Sequence, residues 1–240
     1  SQAAVPVRPV YLPDGRVEQD PLELRDSVIQ AGTSACAGIG SVDAVALANQ
    51  GETVLAWDRD SGQALTTAIV WQDGRAGDLC AELSEHAGWI GERTGLVLDP
   101  YFSAPKQAWI RRNLTEEGVV TTTDTWLVHM LTGEFVSDVA TASRSLLMDI
   151  NSTVWDQQLL DVFGLQDEQL PRIAACDEFI GMTTAFGPSI PLHALMVDQQ
   201  AALLAPTEIL ARQHGASLMR HAAASGVPVA VLTGASTAAE

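Results

Sequence analysis

Leu195-Met196-Val197-Asp198-Gln199-Gln200-Ala201-Ala202-Leu203-Leu204 reads as the end of a short strand running straight into an apolar helix. Asp198 stands at the junction, where an aspartate commonly caps the helix by accepting a backbone N–H. The same junction, at the carboxyl end of a strand, is where α/β sheets place ligands. A carboxylate there can take the proton of a substrate hydroxyl. On the residues alone both readings stand, and a cap can also be a base.

Upstream of the junction, Asp20-Pro21 predicts a helix start, with Asp20 as N-cap and Pro21 at the first position. Residues 42–47 and 53–57 read as strands around the turn Asn49-Gln50-Gly51, and 68–71 as a third short strand. Helices are expected over 76–86, over 104–113, over 122–130 with Thr123 or Asp124 as cap, and over 155–163, closed by Gly164. Residues 143–150 read as a strand. Strands followed by alternating helices and strands predict an α/β domain. At Ala205-Pro206 the composition turns Ala-rich, so the expected division is 1–205 and 206–240.

Thirteen Lys and Arg against thirty Asp and Glu leave a net charge of −17 over 240 residues. Phosphate backbones and anionic lipids need clustered positive charge, so nucleic acid and membrane surfaces are excluded as partners. Lys106 is the single lysine. A hydrophobic share of 47% excludes a disordered acidic tail and supports a sizeable core. No run of eighteen apolar residues exists to span a membrane, and residues 1–13 lack the pattern of a secretory signal. Cys36, Cys80 and Cys176 are odd in number and far apart, which suits free thiols in a reducing cytoplasm. The five histidines show no metal-ligand spacing, so a metal held by protein side chains alone is not expected.

Two short motifs carry little. Gly38-Ile39-Gly40 lacks the third glycine of a dinucleotide loop and precedes a strand instead of following one. Ser103-Ala104-Pro105-Lys106 matches the SxxK of penicillin-recognising hydrolases, without their SDN or KTG. Its plainer reading is a helix start capped by Ser103. No P-loop is present.

Several stretches, in one order, resemble the FGGY carbohydrate kinases, and most of all the glycerol kinase branch. They include Val17-Glu18-Gln19-Asp20-Pro21, Asn49-Gln50-Gly51-Glu52-Thr53, Trp71-Gln72-Asp73 with Arg75, and Asp99-Pro100-Tyr101-Phe102-Ser103. Asp124-Thr125-Trp126-Leu127, Ala142-Ser143-Arg144 and Asp198-Gln199-Gln200-Ala201-Ala202-Leu203 continue it, so that about residues 16–205 are covered. The resemblance implies a ribonuclease H-like, actin-like ATPase domain with a mixed sheet flanked by helices. It implies ATP and Mg²⁺ as cofactors and phosphorylation of a terminal hydroxyl of a small polyol or sugar. A non-catalytic polyol-binding fragment of such a kinase is the alternative. Asp198 would be the general base, Gln199 would contact the substrate, Glu52 and Tyr101 would hold its hydroxyls, and Trp71 would line the pocket. A homodimer is left open.

The sequence departs from the family pattern in three ways. It carries neither the DxGTT strand nor the GTG loop that bind ATP phosphates, so it is expected to represent about half of a two-domain kinase. Gly51 stands where glycerol kinases have arginine. Val197 stands where glycine usually precedes the base.

Overall fold

The computed structural model describes residues 2–197. Its strands and helices follow in the order β1 (Val10–Tyr11), β2 (Val17–Gln19), α1 (Pro21–Cys36), β3 (Val45–Asn49), β4 (Val54–Trp57), β5 (Ala68–Ile69), α2 (Gly77–Glu82) and α3 (Ala87–Thr94). Then come α4 (Ser103–Asn113), β6 (Val119–Thr122), α5 (Thr123–Thr132), β7 (Val136–Asp138), α6 (Val139–Ser143), β8 (Met148–Asp149) and β9 (Val154–Trp155). The order ends with α7 (Gln157–Phe163), β10 (Arg172–Ala174), β11 (Gly181–Thr183) and β12 (Ile190–Val197). The helix expected after Asp198, and the boundary expected after Ala205, lie outside the described residues.

β4 is the middle of the architecture. It sits in an antiparallel sheet of order β1-β2-β5-β4-β6, paired with β6 from Val54↔Thr122 to Trp57↔Val119. All four of its residues are buried, because both faces of the sheet are covered. Alternate side chains point to opposite faces. Val54 and Ala56 therefore pack with Ile69, Val120 and Ile110 of α4, while Leu55 and Trp57 join Trp126, Leu127 and Leu131 of α5. The two buried indoles keep their N–H groups satisfied. Trp57 Nε1 donates to Thr121 Oγ1 at 2.9 Å, and Trp126 Nε1 donates to Gly62 O at 2.9 Å. A separate cluster joins α2, α3, α4 and α7 through Leu79, Ile90, Ala108, Leu159 and Phe163.

A second sheet has the order β11-β12-β3. β12 runs parallel to β3, with Leu195↔Leu47 and Val197↔Asn49 in register. β3 and β4 are thus the two strands expected around residues 49–51, but they lie in different sheets and form no hairpin. The connection cannot fold back flat, because Glu52 takes φ 59 and Thr53 N donates to Gly51 O at 2.8 Å in a three-residue turn.

Locally coded elements follow expectation. Asp20 Oδ1 accepts from Leu22 N at 2.8 Å with Pro21 opening α1, and Gly164 closes α7 at φ 70. Three expectations are corrected. Phe102, not Ser103, is the N-cap of α4, and the Ser103 hydroxyl is buried without a partner. Thr122 precedes α5 without a side-chain cap bond, while Asp124 is buried inside it and accepts from Ser137 Oγ at 2.7 Å. The strand expected at 143–150 is the end of α6, a tight turn and the short β8. Asp138 starts α6 by accepting from Ala140 N and Thr141 N, and the Ser143 and Ser145 hydroxyls bond back to the carbonyls of Ala140 and Ala142.

Among the described residues no helix is long and apolar enough to cross a membrane.

Candidate active site

Glu52 is 1% exposed, at the tip of the turn that leaves β3. A non-glycine residue at φ 59 is sterically disfavoured, and such positions concentrate at functional sites. Its carboxylate is met by Arg144, whose Nε donates to Glu52 Oε1. The Asp138-capped α6 delivers that arginine, since Arg144 is the residue that follows the helix. The guanidinium also lies 5.6 Å from the centre of the Tyr101 ring and 5.6 Å from that of Phe102. Such contacts of Arg with aromatic faces are attractive.

Tyr101 in turn meets Trp71 edge to face, with ring centres 5.4 Å apart. Trp71 follows β5 on a turn that is clamped from several sides. Asp73 N donates to Val70 O at 2.9 Å, and the Asp73 carboxylate accepts from Val17 N at 2.6 Å. Arg75 reaches the same carboxylate through Nε and Nη2, both at 2.8 Å, and Glu18 through Nη2 at 2.7 Å. Its guanidinium lies 4.9 Å from the Trp109 ring on α4. The Trp71 turn is thereby tied to β2 and to α4. Exchanging Asp73 for asparagine removes the charge from this fork, and a charge-assisted hydrogen bond contributes about 1.5–3 kcal/mol. Asp73→Asn is expected to lower the unfolding free energy of the chain by that amount, read from the fall of its urea midpoint, without altering its fold, as read by circular dichroism.

Beneath Tyr101, the Lys106 ammonium is fully buried on α4. It donates to the carbonyl oxygens of Pro100 at 2.9 Å and Phe102 at 2.6 Å, and to that of Tyr101. Burial pushes its pKa down to about 7, against the opposing pull of Glu52, Asp73, Cys80 and Asp99. This settles the SxxK match. Ser103 is 0% exposed and the Lys106 nitrogen is occupied by three carbonyls, so neither group is placed to acylate.

Of the five residues expected at the site, the structure joins three in a row of contacts: Glu52 to Arg144, Arg144 to Tyr101, and Tyr101 to Trp71. Asp198 and Gln199 lie outside the described residues. β12 ends at Val197 in register with Asn49, whose side-chain Oδ1 is buried without a hydrogen-bond partner among the described residues. Arg144 and Lys106 were not read as site residues. The available signals were the Ala142-Ser143-Arg144 stretch, the SxxK match ending at Lys106 and the single lysine among thirty carboxylates.

The arrangement presents one buried carboxylate, one guanidinium and two aromatic rings, a set suited to polar ligands with exposed C–H faces. The sequence matches the FGGY family of carbohydrate kinases, N-terminal domain, over residues 4–205. It is 43% identical to a glycerol kinase of Thermus brockianus over 212 residues, which cover 81% of this chain and 43% of that protein. A glycerol kinase of Parabacteroides distasonis is 40% identical over 220 residues, covering 84% of this chain and 44% of its own length. Among solved structures, Plasmodium falciparum glycerol kinase with ADP superposes with a TM-score of 0.78 at 30% identity, over 82% of this chain and 43% of that one. Gluconate kinase from Lactobacillus acidophilus superposes at 0.75 with 22% identity, over 82% and 42%, a likeness of fold. The chain thus spans less than half the length of the relatives it matches. The fold is the ribonuclease H-like, actin-like ATPase fold that the resemblance implied, and the chain belongs to the FGGY family of carbohydrate kinases, whose N-terminal domain it carries.

Proposed function

We propose that the protein to which this chain belongs transfers a phosphoryl group from ATP to a terminal hydroxyl of a small polyol or sugar, and that this chain supplies the polyol side of the site. The observation that carries the reading is the convergence of Glu52, Arg144, Tyr101 and Trp71, which are drawn from four separate parts of the sequence. Glu52 would accept hydrogen bonds from substrate hydroxyls, with Arg144 orienting it. Tyr101 would add a phenolic partner, and Trp71 would pack on the carbon chain. Asp198, the residue after Val197, would take the proton of the attacking hydroxyl, and Gln199 would bind beside it.

Gly51 bears on the substrate. It carries no side chain at the position where glycerol kinases carry an arginine, so two donors toward glycerol oxygens are absent. We therefore leave the substrate class at small polyols and sugars.

ATP with Mg²⁺ is proposed on family membership. Among the described residues no group of three or more His, Cys, Asp or Glu could hold a metal ion, and no step is assigned to one. Phosphoryl transfer depends mainly on positioning and charge stabilisation, and positioning the acceptor is the part these residues can perform. A cytoplasmic setting is proposed from the three free cysteines.

Calorimetry against a panel of polyols and sugars, with a coupled assay of ADP release from the complete gene product, tests the reading. Polyol-dependent ADP release supports it. Binding to the chain with no release from the complete product would favour a binding role, and neither binding nor release would overturn both.

A further inference from the structure

Among the described residues the single lysine is placed like no other cation. Lys106 is wholly buried, its three N–H donors are matched by three carbonyls, and those carbonyls belong to the consecutive residues Pro100, Tyr101 and Phe102. Three acceptors gathered around one nitrogen fix the path of the turn that leads into α4. The Tyr101 side chain leaves this turn toward Trp71 on one side and Arg144 on the other. We propose that Lys106 is the positioning residue of the site: by holding three successive carbonyls, its ammonium sets the Tyr101 ring against Trp71 and Arg144 and so sets the grip on the substrate.

The chemistry makes this grip depend on a proton. An ammonium has three donors and an amine only two, so deprotonation leaves one of the three carbonyls without its bond and weakens the rest, which lose their charge assistance. The groups facing Lys106 are Glu52 from the turn after β3, Asp73 from the Trp71 turn, Cys80 from α2 and Asp99 from the turn itself. Burial pushes the Cys80 thiol up to about 11, so it keeps its proton through neutral pH. Lys106 itself, held at about 7 by burial, changes charge there. The direction is fixed: Tyr101 is held firmly at lower pH and loosened as the pH rises through the lysine's titration.

The substrate part of the proposal rests on the polyol reading, whereas the conformational part does not. One lysine and two tyrosines allow both to be followed directly. In the chain labelled with ¹³C at lysine Cε and tyrosine Cε, NMR yields one lysine signal and two tyrosine signals. Tyr11→Phe identifies the signal of Tyr101. Between pH 5.5 and 8.5 the Tyr101 signal is expected to shift with the same midpoint as the Lys106 signal. Glu52→Gln, which removes a negative charge that favours the ammonium, is expected to move both midpoints down together. In Lys106→Met the Tyr101 signal should be insensitive to pH.

In the complete gene product, the KM for the polyol should rise by about 10–100-fold above the midpoint, the equivalent of one charge-assisted hydrogen bond, with kcat changed far less. A Tyr101 signal that stays still while Lys106 titrates would overturn the proposal, even if Lys106→Met does not fold. So would a KM indifferent to pH in an enzyme that does release ADP. If no polyol elicits ADP release, the functional reading falls, and the NMR titration still decides the role of Lys106.

Discussion

Asp198→Asn is expected to lower polyol-dependent ADP release from the complete gene product by about 10²–10⁴-fold, the usual contribution of a positioned general base. The change removes the proton acceptor while conserving shape and hydrogen-bonding length. It also separates the two readings of this residue. Asparagine caps a helix about as well as aspartate, so a residue that only caps would tolerate the exchange with stability and activity intact. A base would lose kcat while polyol affinity, measured by calorimetry, stays near its original value. Unchanged ADP release would remove Asp198 from the mechanism.

The largest expected loss of stability is at Gly118, where the chain enters β6. Its φ is +65, a region that costs an L-residue about 1–2 kcal/mol. A Cβ there would also overlap the carbonyl oxygen of Trp57 and lie 2.8 Å from Leu65 Cδ1. Trp57 cannot yield, since it is 0% exposed and its backbone pairs with Val119. Adding about 1–3 kcal/mol for overpacking gives a loss of about 2–5 kcal/mol for Gly118→Ala. In a domain of this size that lowers Tm by about 4–20 °C. Gly133→Ala is the control. Gly133 has a similar φ of +81 with nothing within 4 Å of its Cβ, so it should lose only the conformational share, about 1–2 kcal/mol. Equal losses in thermal or urea denaturation would show that the contact with Trp57 is relieved at no cost.

What could be read from the sequence was what is encoded locally. The Asp20-Pro21 helix start and the Gly164 stop need only their own neighbours, and both are found where expected. The pairing of β3 could not be read in this way. The strand is visible in residues 42–47, but its partner is β12, far along the chain. Residues 143–150 misled because Leu and Met suit a buried strand, whereas the Asp138 cap and two serine hydroxyls bonding to nearby carbonyls favour a short helix and a turn. At the site, the resemblance supplied Glu52, Tyr101 and Trp71; in the structure Tyr101 touches Trp71, and Arg144 bridges Glu52 to Tyr101. Arg144 stands in a stretch that carries the resemblance, but its role depends on where α6 ends. The SxxK match at Lys106 points to acylation, whereas its role comes from main-chain carbonyls that no side-chain motif reports.

The parallel pairing of β3 with β12 also bears on how the molecule is made. Leu47 meets Leu195, so the pair closes a loop of about 150 residues, whereas β4 and β5 meet within one short loop. At synthesis rates of about 5–20 residues per second, β3 leaves the ribosome about 7–30 s before its partner exists. The five-stranded sheet can assemble in that interval, since its last strand is β6. The pairing of β3 at Asn49 must wait for β12. Nascent chains halted between β6 and β12 should therefore hold a protease-resistant β4 while β3 remains open to cleavage.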